Sequence, residues 1–177
     1  SRGLGDVYKR QIFFHGWGYG SLFWQSNLSH YGNTNILLYN RGYYGAYHKP
    51  KLPVGKTQCV THSAGLLFAI QEYNIVDFDK IIIYAGFERF PNKIAAKAMR
   101  VGLQKNPEKI MHDFYDACGF IPSVTEEPDI KSLCDDLKML EICDISEQLK
   151  HIDYTAYHGK NDTIIPMPLT GAISIDN

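Results

Sequence analysis

The stretch that most limits the possible folds runs from residue 57 to residue 85. Residues 57–61 (TQCVT) and 80–85 (KIIIYA) are short runs with little of the polar–apolar alternation of a half-exposed strand, as strands buried on both faces should be. Residues 64–73 between them are apolar nearly all round, which suits a helix buried in a crossover. Strand, helix and strand at this pitch predict a parallel pair, because only a crossover connection lets the second strand run the same way as the first. Three further runs, residues 12–14, 35–39 and 153–157, have the same β-branched and aromatic character and close on glycine or a turn. The chain reads as α/β, a mostly parallel sheet flanked by helices.

Between residues 88 and 150 the pattern changes to helical punctuation. Pro91-Asn92 precedes residues 93–104, Asn106-Pro107 precedes 108–118, and Pro128-Asp129 precedes 130–141, each the cap-and-proline signature of a helix start. Three or four short helices between two strands predict a helical lid. The expected organisation is an N-terminal part of the core over residues 12–87, the lid over 88–150, and a C-terminal part over 151–177 that is incomplete. Residues 1–11 (SRGLGDVYKRQ) carry no strand alternation, helical stripe or signal-peptide apolar region, and they abut an abrupt apolar start at Ile12. They are expected to be a non-native leader.

Charge and cysteine usage narrow the partners. Lys and Arg total 18 against 19 Asp and Glu, a net charge of -1, so no overall basic field favours nucleic acid. No apolar run reaches the 18 or so residues needed to span a bilayer. Cys59, Cys118, Cys134 and Cys143 have neither metal-ligand spacing nor the density of a disulfide framework, so reduced thiols in a cytoplasmic protein are expected, with no metal or cofactor.

Three segments carry chemistry. In Cys59-Val60-Thr61-His62-Ser63-Ala64-Gly65 a strand runs through a serine and small residues into a helix, a turn that projects the Ser63 hydroxyl above the sheet. Thr61 stands where a G-x-S-x-G pattern has its first glycine, and a serine at this place can also be a plain helix N-cap. In Phe13-Phe14-His15-Gly16-Trp17-Gly18 a glycine loop follows the first strand. The N–H groups of Trp17 and of Ala64 are candidate donors to an oxyanion formed at Ser63. In residues 157–166 (YHGKNDTIIP) a strand ends in a loop bearing Asp162, a carboxylate able to orient a histidine base, with an Asx-turn as the competing role.

In this order (oxyanion loop, elbow, lid, acid), with Asn40-Arg41-Gly42-Tyr43-Tyr44-Gly45 after the second strand, the chain resembles the α/β-hydrolase superfamily over residues 12–166. Within it, His15-Gly16-Trp17-Gly18, Phe87-Glu88-Arg89-Phe90-Pro91 and Asp113-Phe114-Tyr115 look like the pimeloyl-acyl-carrier-protein methyl ester esterases of biotin synthesis. That resemblance implies a serine esterase with Ser63 as nucleophile, Asp162 as acid, and Trp17 and Ala64 at the oxyanion, acting on a methyl ester carried by an acyl carrier protein. Lys93, Lys97 and Arg100 share one face of the first lid helix, with Arg89 just before it, and would face such an acidic carrier; a solvated helix face accounts for the same charges. One departure stands out. The family's base is a histidine beyond the acid, yet none of the seven histidines follows Asp162. The chain is therefore expected to be C-terminally truncated, lacking a strand and the histidine loop, and inactive or nearly so. The alternatives are another small esterase or carbon–carbon hydrolase of this fold, and a non-catalytic binding module that kept the fold and lost the base.

Overall fold

The computed structural model describes residues 10–31, 35–52, 54–123 and 125–176. Six strands, β1 (Arg10–Phe14), β2 (Asn35–Leu38), β3 (Gln58–His62), β4 (Lys80–Tyr84), β5 (Tyr154–Gly159) and β6 (Ile173–Ile175), form one sheet in the order β2-β1-β3-β4-β5-β6. Every neighbouring pair is parallel, with Phe13 opposite both Leu38 and Val60 at the centre. The order in which strands are added reverses at β1, because β2 lies on one side of it and β3 on the other. In open parallel sheets, ligands bind beyond the strand ends at such a reversal.

The two faces of the central strands pack differently. Ile12, Phe14, Cys59, Ile81 and Ile83 join Leu66, Leu67, Phe68 and Ala69 of α1 (Gly65–Glu72) in the main core. Phe13 and Val60 point the other way, onto Trp24 of the 3₁₀ segment Ser21–Tyr31. Burial on both faces explains why these strands lack alternation in sequence.

Between β4 and β5 stand α2 (Lys93–Leu103), α3 (Pro107–Cys118), α4 (Ile130–Ile142) and the single turn α5 (Ser146–Leu149). Each long helix starts where its cap residue requires. The side chain of Asn92 accepts from the Ala95 N–H, that of Asn106 from Lys109 with Pro107 in the first turn, and that of Asp129 from Lys131 and Ser132. Gly119, in the left-handed conformation at φ 68°, closes α3. Helices α2 and α4 pack along one another.

Two boundaries differ from the sequence reading. Strand β1 begins at Arg10, so Arg10 and Gln11 belong to the sheet; residues 1–9 lie outside the described residues. The strand expected to be missing after Asp162 is present as β6, with Tyr157 of β5 opposite Ile173. It is three residues long and all three are exposed, so its Ile-Ser-Ile pattern is too short to stand out as a strand.

Candidate active site

Ser63 occupies the tight turn between the end of β3 and the start of α1. Its φ is 51°, a left-handed conformation costly for a residue with a Cβ, and its N–H donates to the carbonyl of Tyr84 at 2.9 Å. Glycine is required two residues on, because a Cβ on Gly65 would lie 2.5 Å from the Phe14 carbonyl oxygen. Gly16 plays the matching part in the loop after β1, where a Cβ would come within 3.2 Å of the Ser63 Cβ. The two loops are thus pressed together at the reversal point of the sheet.

A cavity of about 720 Å³ opens above these loops, and Ser63, Trp17, Ala64 and Asp162 all line it. Its walls are largely apolar, with Phe87, Phe90, Met99, Phe114, Leu137 and Ile165 among them. Among the described residues, the backbone N–H groups of Trp17 and Ala64 have no protein acceptor, which leaves both free to receive a developing oxyanion. Ala85, at φ 50°, also lines the cavity. It and Ser63 are the two non-glycine residues with positive φ among those described, so backbone strain is concentrated at this site.

Asp162 makes the local turn that competed with a catalytic role. One carboxylate oxygen accepts from the Ile164 and Ile165 N–H groups at 2.9 and 2.8 Å. The turn fixes the carboxylate at the end of β5 and occupies Oδ1, so the structure gives Asp162 the local role and a place on the cavity wall at once.

The histidines sort by burial. His15 is fully buried; its Nε2 accepts from the Arg41 N–H at 3.0 Å and its Nδ1 lies 2.8 Å from the Gly16 carbonyl, which assigns the proton to Nδ1. Burial holds its pKa down at about 4. It is a neutral brace for the loop after β1. Among the described residues His62 is the one histidine that lines the cavity. Its ring stacks on Phe23 at 4.5 Å, its Nδ1 is buried without a partner among the described residues, and burial lowers its pKa to about 4 against the pull of Asp162.

The loop after β1 is fastened to the helical layer by contacts that no local pattern announces. The Trp17 indole donates to the Leu133 carbonyl of α4 at 3.0 Å, and the Tyr115 hydroxyl of α3 donates to the Gly18 carbonyl at 2.7 Å. Arg41 forms a two-pronged pair with buried Asp136 of α4, at 2.7 and 2.6 Å, and the Tyr43 hydroxyl donates to the same carboxylate at 2.6 Å. Asp136 and Phe23 were not singled out in the sequence; Tyr115 stood there only as part of the Asp113-Phe114-Tyr115 segment, and the Arg41 loop carried a signal of its own.

The expected basic face is partly neutralised. Arg89 pairs with Asp144 at 2.8 Å and Arg100 with Glu141 at 2.7 Å, while Lys93 and Lys97 stay exposed. All four cysteines are free, and burial raises the Cys118 thiol at the cavity wall. Among the described residues, no helix is long and apolar enough to cross a membrane.

No protein-family model matches the sequence, and no curated protein matches it either. Solved structures do resemble it. A hydrolase from Pseudomonas aeruginosa PA01 superposes with a TM-score of 0.73 at 10% identity, over 98% of this chain and 83% of that one. An esterase from Exiguobacterium antarcticum gives 0.73 at 13%, over 95% and 82%. MenH from S. aureus gives 0.64 at 10%, over 98% and 88%. At these identities the likeness is one of fold, and the fold is that of the α/β-hydrolases.

Proposed function

We propose that this α/β-hydrolase fold carries a serine-dependent carboxylic ester hydrolase site. The observation that supports it best is the strained Ser63 turn pressed against the Gly16 loop, with two unengaged N–H groups at Trp17 and Ala64 beside one apolar cavity. Ser63 Oγ attacks the ester carbonyl and passes its proton to a base. The two N–H groups hold the negative oxygen, the alcohol leaves with a proton, and water then releases the acid. The apolar walls suit the acyl chain of a methyl ester, the substrate class implied by the pimeloyl-acyl-carrier-protein methyl ester esterases. Lys93 and Lys97 are the exposed cations that an acidic acyl carrier protein would meet. Asp162 is the acid of this reading.

The base is the point on which the enzymatic reading turns. His62 is neutral, packed on Phe23 and adjacent to Ser63 in the chain, and none of the seven histidines follows Asp162. The 177-residue polypeptide is therefore expected to turn over esters slowly or not at all, and the neutral, buried His62 beside Ser63 leaves a second reading, an acyl-binding module without catalysis. A fluorophosphonate probe tests both. On the esterase reading Ser63 is labelled slowly, faster with added imidazole as a diffusible base, and not at all in Ser63→Ala. Labelling elsewhere, or at an unchanged rate in Ser63→Ala, removes the esterase. Labelling at Ser63 that ignores imidazole favours the binding module. A carrier-bound methyl ester that protects Ser63 no better than the free ester removes the carrier.

A further inference from the structure

A second cavity of about 620 Å³ adjoins the first, and the two share Phe23 and Phe120 in their walls. Leu22, Ile121 and Pro122, from the segment after the oxyanion loop and the chain leaving α3, are among its other apolar members, and Gln25, Asn40 and Glu126 are among its polar ones. Leu22 and Ile121 are 54% and 66% exposed, a large apolar area for two neighbouring positions on one cavity. The partition is made of rings. Phe120 stands edge-on to Phe23 at 5.6 Å, and Phe23 stacks in turn on His62 beside the nucleophile. Phe120 is held there by its backbone, whose N–H donates to the Tyr115 carbonyl and whose carbonyl accepts from the Tyr19 hydroxyl at 3.2 Å. The residue remains 40% exposed. The main chain is pinned while the side chain carries the wall.

From this arrangement we infer that Phe120 sets the length of acyl chain the site accepts by closing the first cavity against the second, whose space takes the distal methylenes of longer chains only when that wall is removed. The occupant is the hydrocarbon tail of a molecule whose ester end sits at Ser63, because the two spaces meet at Phe23 and Phe120. This rests on the reading of the first cavity as an acyl site, and it holds whether the site is catalytic or only binds. Each methylene that leaves water for an apolar wall tightens binding about threefold to fourfold, so the chain length at which affinity stops rising locates the wall.

The test measures dissociation constants of saturated methyl esters of increasing length, from intrinsic tryptophan fluorescence, since Trp17 lines the first cavity. In the wild-type protein affinity rises with each carbon and then levels off. In Phe120→Ala the rise continues for about four further carbons, and Ile121→Asp on the far side cancels that extension in the Phe120→Ala background. Far-UV circular dichroism establishes that the variants are folded; should Phe120→Ala fail to fold, Phe120→Leu moves the levelling point by one or two carbons. A folded Phe120 variant that levels off at the wild-type length overturns the inference and leaves the acyl-site reading standing. Failure of every ester to bind the wild-type protein, or binding that does not protect Ser63 from the fluorophosphonate, overturns that reading and the inference with it.

Discussion

The two sides of the cavity are built by different physics. On the sheet side, Ser63 and the Gly16 loop are placed by backbone sterics: a left-handed serine, and a glycine whose Cβ would lie 2.5 Å from a carbonyl oxygen. On the helical side, placement depends on a few polar side chains that join the loops after β1 and β2 to the helices, Arg41 to Asp136, Trp17 to Leu133 and Tyr115 to Gly18. Steric contacts as close as these tolerate no partial failure. Long-range polar contacts can be removed one at a time, so the helical side is where graded perturbation is available.

The largest effect is expected at Asp136. Its side chain is 4% exposed and receives two bonds from Arg41 and one from Tyr43. Asp136→Ala leaves a half-buried guanidinium and a buried phenol without their acceptor, and breaking such a pair costs about 3–5 kcal/mol. Urea unfolding should show a loss of that order, with Asp136→Asn intermediate. A loss below 1 kcal/mol would mean that the helical layer does not depend on this pair.

The contrast also explains what could be read from the sequence. The Ser63 turn, the helix caps at Asn92, Asn106 and Asp129, and the buried strands were legible, since each rests on residues a few positions apart. Asp136 was not, lying 95 positions from Arg41 with no local sign that it is buried. The start of β1 was missed because Gln11 and Gln58 are buried polar residues on adjacent strands that satisfy each other by an amide–amide bond, so a strand position reads as a loop. Strand β6 was missed because its alternating Ile173-Ser174-Ile175 is short and exposed. Phe120 follows the end of α3 with no local signal, and its place between two cavities comes from a tertiary packing that propensity does not encode.

A smaller effect is expected from pH, and it falls on the sheet side. His15 and His62 have folded pKa values of about 4 against an ordinary 6.5, so the unfolded chain binds more protons between those values. The stability from these neutral rings is fully present above about pH 6.5 and is lost as the pH falls toward 4. From pH 7 to pH 5 the loss should be on the order of 2 kcal/mol for each ring. Urea melts at the two pH values measure the sum, and proton NMR should find two histidines that do not titrate in this range. If every histidine titrates near 6.5, the neutral braces are wrong.

Tyr115→Phe probes the smallest effect and bears most directly on how the two sides communicate. The Tyr115 hydroxyl donates to the Gly18 carbonyl and accepts from Tyr44 at 2.6 Å, and Gly18 belongs to the loop that offers the Trp17 N–H. Phenylalanine keeps the ring, its packing on Tyr19 and its place in α3, and removes one buried bond at each end, so stability should fall by about 1 kcal/mol. If the bond also holds the loop in register with Ser63, fluorophosphonate capture at Ser63 should slow severalfold under conditions where the variant is fully folded. A stability loss with unchanged capture would confine Tyr115 to the fold. Slowed capture would make the helical layer a positioning element for the loop after β1, reaching Ser63 through one carbonyl rather than through direct contact with it.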